Sequence, residues 1–215
     1  MSLETVLFDV DGTLIDSNAA HAQAWTQALR EHGVEAELLT LRRLIGMGAD
    51  KLLPKVAGVT EDSERGKAIG ERKKEIFSSL LPGLRQTPGA RALLEYLRGR
   101  NVTLTIATSA GGEELSALIV RAGVDDLFDK RTSSDDAEES KPDPDIVQAA
   151  LAKSKARPET TVMVGDTPYD VEAAGRAGIA AIALRCGGFW PDDALAGAIA
   201  IVDHPAALLE VWRDD

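Results

Sequence analysis

The feature that most constrains the fold of this chain is a repeated change of hydrophobic pattern after residue 90. Short apolar runs rich in β-branched residues, at 102–107, 161–164 and 179–184, alternate with longer segments of helical spacing. Strands that alternate with helices are typical of a parallel sheet covered by helices on both faces. The pattern therefore predicts an α/β fold.

A helical insertion interrupts this pattern near the start of the chain. Residues 5–8 form a short apolar run that ends in acidic and glycine residues, as a buried strand does when it leads into a loop. From about residue 18 the spacing is helical, without a convincing strand, up to the turn at Pro82-Gly83. We therefore predict a core of residues 1–16 and 84–215, with an inserted helical domain at 17–83.

Composition narrows the classes of function. One cysteine, Cys186, excludes an internal disulfide and favours a reducing compartment. No segment approaches the roughly 20 apolar residues of a membrane span, and a net charge of −11 disfavours nucleic acid and anionic lipid as partners. We expect a cytoplasmic protein with neither a membrane nor a nucleic-acid partner.

The charge is unevenly distributed along the chain. Residues 17–83 hold ten Lys+Arg and nine Asp+Glu, so the negative charge belongs to the predicted core. An anionic substrate would need a metal cation to offset that charge, and the more basic insertion could contribute the remaining attraction.

Polar residues follow the predicted strands at the edge where such sheets bind their ligands. Asp9 and Asp11 come directly after the first strand, with Gly12 beside them. Two carboxylates so close together repel each other unless a cation or a shared proton intervenes, and Mg²⁺ is the hard, oxygen-seeking ion that suits them. The pair taken alone is equally consistent with an ordinary acidic turn.

The later strands repeat this arrangement. Thr108 and Ser109 end the second strand and could hold phosphate oxygens, while Lys141 lies in a loop where it could neutralise a phosphate. Asp166 follows residues 161–164 as a candidate metal ligand, and Asp170 is either a further ligand or a helix N-cap.

Together these motifs resemble the haloacid dehalogenase-like hydrolase superfamily, in its phosphoglycolate phosphatase and β-phosphoglucomutase-like branch. Asp9-Val10-Asp11-Gly12-Thr13 is similar to the first motif of that family, Thr108 to the second, Lys141 to the third, and Gly165-Asp166 through Asp170 to the fourth. The resemblance implies a Rossmann-like doubly wound sheet under a mobile helical cap that determines substrate specificity.

The resemblance also implies a mechanism. Asp9 would attack phosphorus to form an aspartyl-phosphate, and Asp11 would act as acid and base. Mg²⁺ would be held by Asp9, Asp11 through its backbone carbonyl, Asp166 and Asp170, while Lys141, Thr108 and Ser109 would bind the phosphoryl group. We therefore predict a phosphatase acting on small phosphorylated metabolites such as phosphoglycolate or sugar phosphates.

Two other functions are compatible with these residues. His21 and Lys73 resemble cap residues of a β-phosphoglucomutase, although Ala49 replaces the arginine that such a mutase carries. A non-catalytic phosphoacceptor or binding protein is the alternative from another class. The sequence leaves the substrate and the oligomeric state undetermined; the candidate substrate contacts in the cap are His21, Arg42, Arg43, Met47, Lys51 and Lys73.

Overall fold

The structure, a computed structural model, describes residues 3–214 and is built around one parallel sheet. Within those residues six strands lie side by side in the order β3-β2-β1-β4-β5-β6, and every neighbouring pair is parallel. The strands are β1 (Thr5–Phe8), β2 (Thr103–Ala107), β3 (Lys130–Thr132), β4 (Thr161–Gly165), β5 (Ala180–Leu184) and β6 (Ala200–Val202). This order confirms the doubly wound α/β fold.

Among residues 3–214, nine α-helices surround this sheet or cover one end of it. They are α1 (Asn18–Glu31), α2 (Leu38–Leu44), α3 (Ala49–Ala57), α4 (Glu64–Leu80), α5 (Ala90–Gly99), α6 (Gly112–Ala122), α7 (Asp145–Ser154), α8 (Pro168–Arg176) and α9 (Pro205–Asp214). The first four follow one another between β1 and α5, as the sequence predicts for the inserted cap, and we refer to α1–α4 as the cap helices. The domain limits at 16/17 and 83/84 stay a prediction.

The core has a layer on each face of the sheet because successive strand residues point to opposite sides. Val6 and Phe8 of β1 belong to the larger cluster, which continues into the cap helices, whereas Leu7 belongs to a smaller cluster under α7 and α8. The whole of β1 is buried. The central strand is therefore held from both sides, and the loop that follows it starts from a rigid position.

The largest differences between the structure and the predicted elements concern one strand and the start of one helix. The strand β3 is missing from the prediction because Lys130 and Arg131 are exposed and polar, so this edge strand has no apolar pattern. Helix α8 begins at Pro168, three residues before the start that the sequence predicts at Val171, because Thr167 caps the helix and Pro168 occupies the first helical position. No helix among residues 3–214 combines the length and the apolar character that a bilayer crossing requires.

Candidate active site

The predicted site residues meet where the chain reverses its direction of winding across the sheet. The strands β2 and β3 lie on one side of β1, and β4, β5 and β6 lie on the other. The loops after β1 and β4 therefore diverge and leave a crevice at the carboxyl ends of the strands, the usual ligand position in such sheets. Asp9 leaves β1 at this point, and Asp166 leaves the adjacent β4.

Lys141 links two of the carboxylates in the crevice. Its ammonium donates to Asp9 Oδ1 at 2.5 Å, to Asp170 Oδ1 at 2.6 Å and to the carbonyl of Ala107 at 3.1 Å. The lysine is completely buried. Burial acts to lower the pKa of Lys141, but the charges of Asp170 and Asp9 outweigh it and hold that pKa above its ordinary value. The lysine is therefore a fixed positive charge beside Asp9.

The cap of helix α8 holds Asp170 in place. Thr167 donates to Asp170 Oδ2 from its backbone N–H at 3.0 Å and from its hydroxyl at 2.7 Å, and its hydroxyl accepts from the Asp170 N–H. Thr167 is thus the N-cap and Asp170 the third helical residue of a capping box. This geometry makes Asp170 a capping-box acid that also faces Lys141.

Asp166 is held by residues from the start of the chain. Its Oδ2 accepts from the Asn18 amide at 2.7 Å, and its Oδ1 accepts from the Thr13 hydroxyl at 3.3 Å. The backbone of Gly187 approaches the same carboxylate so closely that a Cβ there would lie 1.7 Å from Asp166 Oδ2. Asn18 and Gly187 carry no sequence signal for this role, whereas Thr13 lies inside the first motif.

The donor set in the crevice suits a divalent cation. Asp9, Asp166 and Asp170 are buried and offer carboxylate oxygens within 4.8 Å of one another. Burial and the nearby charges of Asp170 and Asp11, only partly offset by Lys141, raise the pKa of Asp9 to about 7. Burial and the charges of Asp170 and Asp9 likewise raise the pKa of Asp166 well above its usual range.

The charge balance supports the same interpretation. Three ionised carboxylates beside one ammonium leave two negative charges in a buried volume. Such crowding is unfavourable unless a cation neutralises it, and oxygen donors of this kind are those that Mg²⁺ prefers. The residues present therefore fit the predicted metal.

The carboxylate of Asp11 points away from this group and faces the cap. Its Oδ1 accepts from Ser17 Oγ at 2.5 Å and from His21 Nε2 at 2.7 Å. Burial acts to raise the pKa of Asp11, but His21, with Ser17 and Lys73, outweighs it and holds that pKa below its usual range. The side chain of Asp11 is therefore not part of the carboxylate group of Asp9, Asp166 and Asp170, and metal binding through the Asp11 backbone carbonyl stays a prediction.

The hydroxyl residues after β2 line the same crevice. Thr108 is buried, and its hydroxyl accepts from the backbone N–H of Ala110 at 3.2 Å. Ser109 donates to the carbonyl of Gly46, in the cap, at 3.2 Å. Both residues face a cavity of about 680 Å³ that extends from Asp9 to the cap helices.

The cap residues predicted as substrate contacts divide into two groups. His21, Met47 and Lys73 line the cavity. His21 also stacks on Phe77 with 3.9 Å between the ring centroids.

Arg43 and Lys51 lie outside the wall of the cavity, and the prediction of substrate contact is not supported at these positions. The ammonium of Lys51 is held by Glu139 and by Asp143, and the guanidinium of Arg43 lies 5.9 Å from the centre of the Phe189 ring. Arg42 packs over the same ring at 5.5 Å.

The single cysteine lies beside the crevice without entering its chemistry. Burial, followed by the charge of Asp166, raises the pKa of Cys186 to about 12, and its Sγ donates to the carbonyl of Gly12. A thiol with this pKa stays protonated at neutral pH and is a poor nucleophile.

Known proteins share both this sequence pattern and this fold. The profile of the haloacid dehalogenase-like hydrolase family matches residues 6–184. A phosphorylated carbohydrates phosphatase of Thermotoga maritima is 31% identical over 99% of each chain, and a phosphoglycolate phosphatase of Rhodospirillum rubrum is 28% identical over 95% of this chain and 89% of its own. The crystal structure of a hydrolase from Pseudomonas syringae superposes with a TM-score of 0.91 at 27% identity over 98% of each chain. The chain therefore belongs to the haloacid dehalogenase-like hydrolase family, in the branch of the phosphoglycolate phosphatases and β-phosphoglucomutases.

Proposed function

We propose that this protein is a Mg²⁺-dependent phosphatase that hydrolyses small phosphomonoesters through an aspartyl-phosphate intermediate. The observation that carries the proposal is the buried group of Asp9, Asp166 and Asp170 with Lys141 at the carboxyl end of β1. The names of the two relatives support the substrate class, because both are phosphatases of small phosphorylated molecules.

The carboxylates of Asp9, Asp166 and Asp170 and the backbone carbonyl of Asp11 would hold the metal. When bound, Mg²⁺ would neutralise charge on the phosphoryl oxygens and so lower the barrier to attack by an anion. Lys141 pairs with both Asp9 and Asp170, so contacts within the chain itself position these two carboxylates.

Asp9 is the nucleophile. Its Oδ1 accepts from Lys141, which leaves Oδ2 to form a bond to phosphorus while the bond from phosphorus to the leaving oxygen breaks. Water then attacks the aspartyl-phosphate, the acyl phosphate bond breaks at phosphorus, and the Asp9 carboxylate is restored as inorganic phosphate leaves. Lys141, Thr108 and Ser109 would bind the phosphoryl group during both steps.

Asp11 would act as the acid and the base. Its lowered pKa means that its carboxylate is ionised in the free protein, where Oδ1 accepts a hydrogen bond from His21 Nε2, 2.7 Å away. In the reacting complex Asp11 would carry a proton that it gives to the leaving oxygen in the first step and regains from water in the second. Both hydrogen bonds from Ser17 and His21 end on Oδ1, which leaves Oδ2 free to face the substrate.

A phosphosugar mutase is the second candidate, because the contact between His21 and Asp11 places a cap residue beside the acid and base. A mutase would transfer the phosphoryl group back to a sugar and would need a sugar bisphosphate to start. A phosphatase would release phosphate steadily without one. A non-catalytic phosphoacceptor would show at most one turnover.

A phosphate-release screen over phosphorylated metabolites, with and without Mg²⁺, tests this proposal. We expect sustained release that depends on the metal and needs no bisphosphate. Asp9→Asn should abolish turnover and keep the wild-type circular dichroism spectrum, whereas Asp16→Asn, the same change at an exposed position of the same loop, should leave the rate unchanged. Retained metal-dependent turnover in Asp9→Asn would refute the covalent mechanism.

A further inference from the structure

An ion pair between the cap and the core crosses the cavity beyond the catalytic carboxylates. Lys73 of α4 donates from Nζ to Glu114 Oε2 of α6 at 2.7 Å, and the two side chains are 9% and 16% exposed. Glu114 lies in the first turn of α6, where the helix dipole attracts negative charge. The pair is thus largely shielded from solvent.

The remaining surroundings of Lys73 are aromatic. Its ammonium lies 4.9 Å from the centre of the Phe77 ring and 5.7 Å from that of Trp25, both distances at which a cation is attracted to the ring face. The carboxylate of Glu114 already neutralises this ammonium within the chain. An anionic group of a substrate would therefore have to compete with Glu114 for Lys73.

The rest of the cavity wall is also unfavourable to a second anion. Beyond Asp9 and Asp11, the wall contains seven carboxylates and three lysines, Lys67, Lys73 and Lys74. Partial desolvation, reinforced by the charges of Asp50 and Asp62, raises the pKa of Glu61 above its usual range, so the neighbouring carboxylates in this part of the wall disfavour a further negative charge.

We infer that Glu114 is a specificity-determining residue because it keeps Lys73 paired. The site therefore prefers phosphomonoesters with a neutral or cationic leaving group over those that carry a second anionic group. The inference rests on the proposed phosphatase activity and names the substrate class of the same site. Two features would disfavour a substrate with a second anion: the wall carboxylates repel it, and Lys73 is already paired with Glu114.

Three hexose derivatives that share a 6-phosphate test the inference in the wild-type protein with Mg²⁺. Glucosamine 6-phosphate carries an ammonium, glucose 6-phosphate has a neutral leaving group, and 6-phosphogluconate carries a carboxylate. We expect kcat/KM to fall in that order, with roughly a tenfold loss for the carboxylate relative to the neutral sugar. The loss should shrink at high salt because the charges of the partly open wall are then screened.

Glu114→Gln frees Lys73 and should remove most of that loss, raising kcat/KM for 6-phosphogluconate and leaving the value for glucose 6-phosphate within about twofold. Glu113→Gln removes the same charge from the same helical turn, but Glu113 is exposed and Lys73 stays paired, so the ratio between these two substrates should change little. In the double variant Lys73→Gln/Glu114→Gln the gain should disappear, because the ammonium that receives the carboxylate is absent.

The outcomes separate this inference from the proposed function. No sustained phosphate release from any of a wide panel of phosphomonoesters would refute both. An active enzyme that prefers 6-phosphogluconate to glucose 6-phosphate, or an active Glu114→Gln variant with the wild-type ratio, would refute the role of Glu114 alone. If circular dichroism shows that Glu114→Gln is unfolded, the order of kcat/KM for the three substrates in the wild-type protein and the ratio in the double variant test the role of Glu114.

Discussion

Replacing Gly187 with alanine should displace Asp166 and so weaken both metal binding and turnover. Gly187 is buried after β5, and its backbone lies outside the left-handed region, so the added methyl group is the main source of any penalty. That methyl carbon would lie 1.7 Å from Asp166 Oδ2, 2.6 Å from Cγ and 2.9 Å from Cβ. The methyl group therefore clashes with the whole Asp166 carboxylate, so the rotation of a single flexible atom cannot relieve the overlap.

The required displacement sets the expected magnitude. Cβ atoms in proteins approach other heavy atoms no closer than about 3.0 Å. The Asp166 carboxylate or the Gly187 backbone must therefore move by about 1.3 Å. Such a shift stretches the 2.7 Å bond from Asn18, and losing a hydrogen bond to a charged group costs about 1.5–3 kcal/mol. Misplacing a catalytic group by about 1 Å lowers rates by roughly 100-fold, which we expect for kcat/KM.

Two measurements check this prediction. Titration of phosphate release with Mg²⁺ should show a raised half-saturation concentration together with the lower kcat/KM, and the thermal stabilisation by Mg²⁺ should shrink because the metal binds more weakly. Gly175→Ala is the matched control, since Gly175 is exposed in α8 with open space around it, and it should keep wild-type metal dependence. Wild-type turnover and metal half-saturation in Gly187→Ala would show that the loop yields at little cost and would refute the reasoning.

Two further predictions concern the protein without metal. Lys141→Met should lower the unfolding free energy in EDTA by about 3–5 kcal/mol, because it leaves the buried carboxylates of Asp9 and Asp170 without their lysine. The control Lys130→Met, on the exposed edge strand, should change the unfolding free energy by under about 1 kcal/mol. Equal urea midpoints for the two variants would contradict this prediction. With the pKa of Asp9 raised to about 7, the native state keeps a proton that the unfolded chain loses near pH 4, so this residue makes the unfolding free energy fall as pH rises from about 4 to about 7. Urea titrations of the EDTA-treated protein should show a decline that Asp9→Asn weakens, and identical profiles for the two proteins would contradict the assignment.

The alternation of strands and helices predicted the α/β class because hydrophobic periodicity is a local property of the chain. The strands that carry Asp9, Thr108 and Asp166 were recognisable as short apolar runs, and their polar ends pointed to the site. The edge strand β3 was not recognisable, since backbone pairing with β2 holds two exposed, charged residues there without an apolar pattern.

The charged residues of the cap could be counted from the sequence, but the direction in which each side chain points could not be predicted. Lys51 and Lys73 are both lysines in predicted helices, yet one pairs with Glu139 at the surface and the other lines the cavity beside Glu114. Their partners are 88 and 41 residues away in the chain, so helical spacing carries no information about them. Only the packing of the cap against the core distinguishes the two lysines.

The sequence by itself determined the family, the fold class and the residue types at the ends of the central strands, because each depends on a local pattern. The tertiary structure alone decided which groups support those residues. Asn18 and Gly187 approach Asp166 from opposite ends of the chain, and Lys141 reaches Asp9 across 132 positions. Such contacts arise because the parallel sheet brings the ends of distant strands to one edge, where buried charges lie close together and are little screened by solvent.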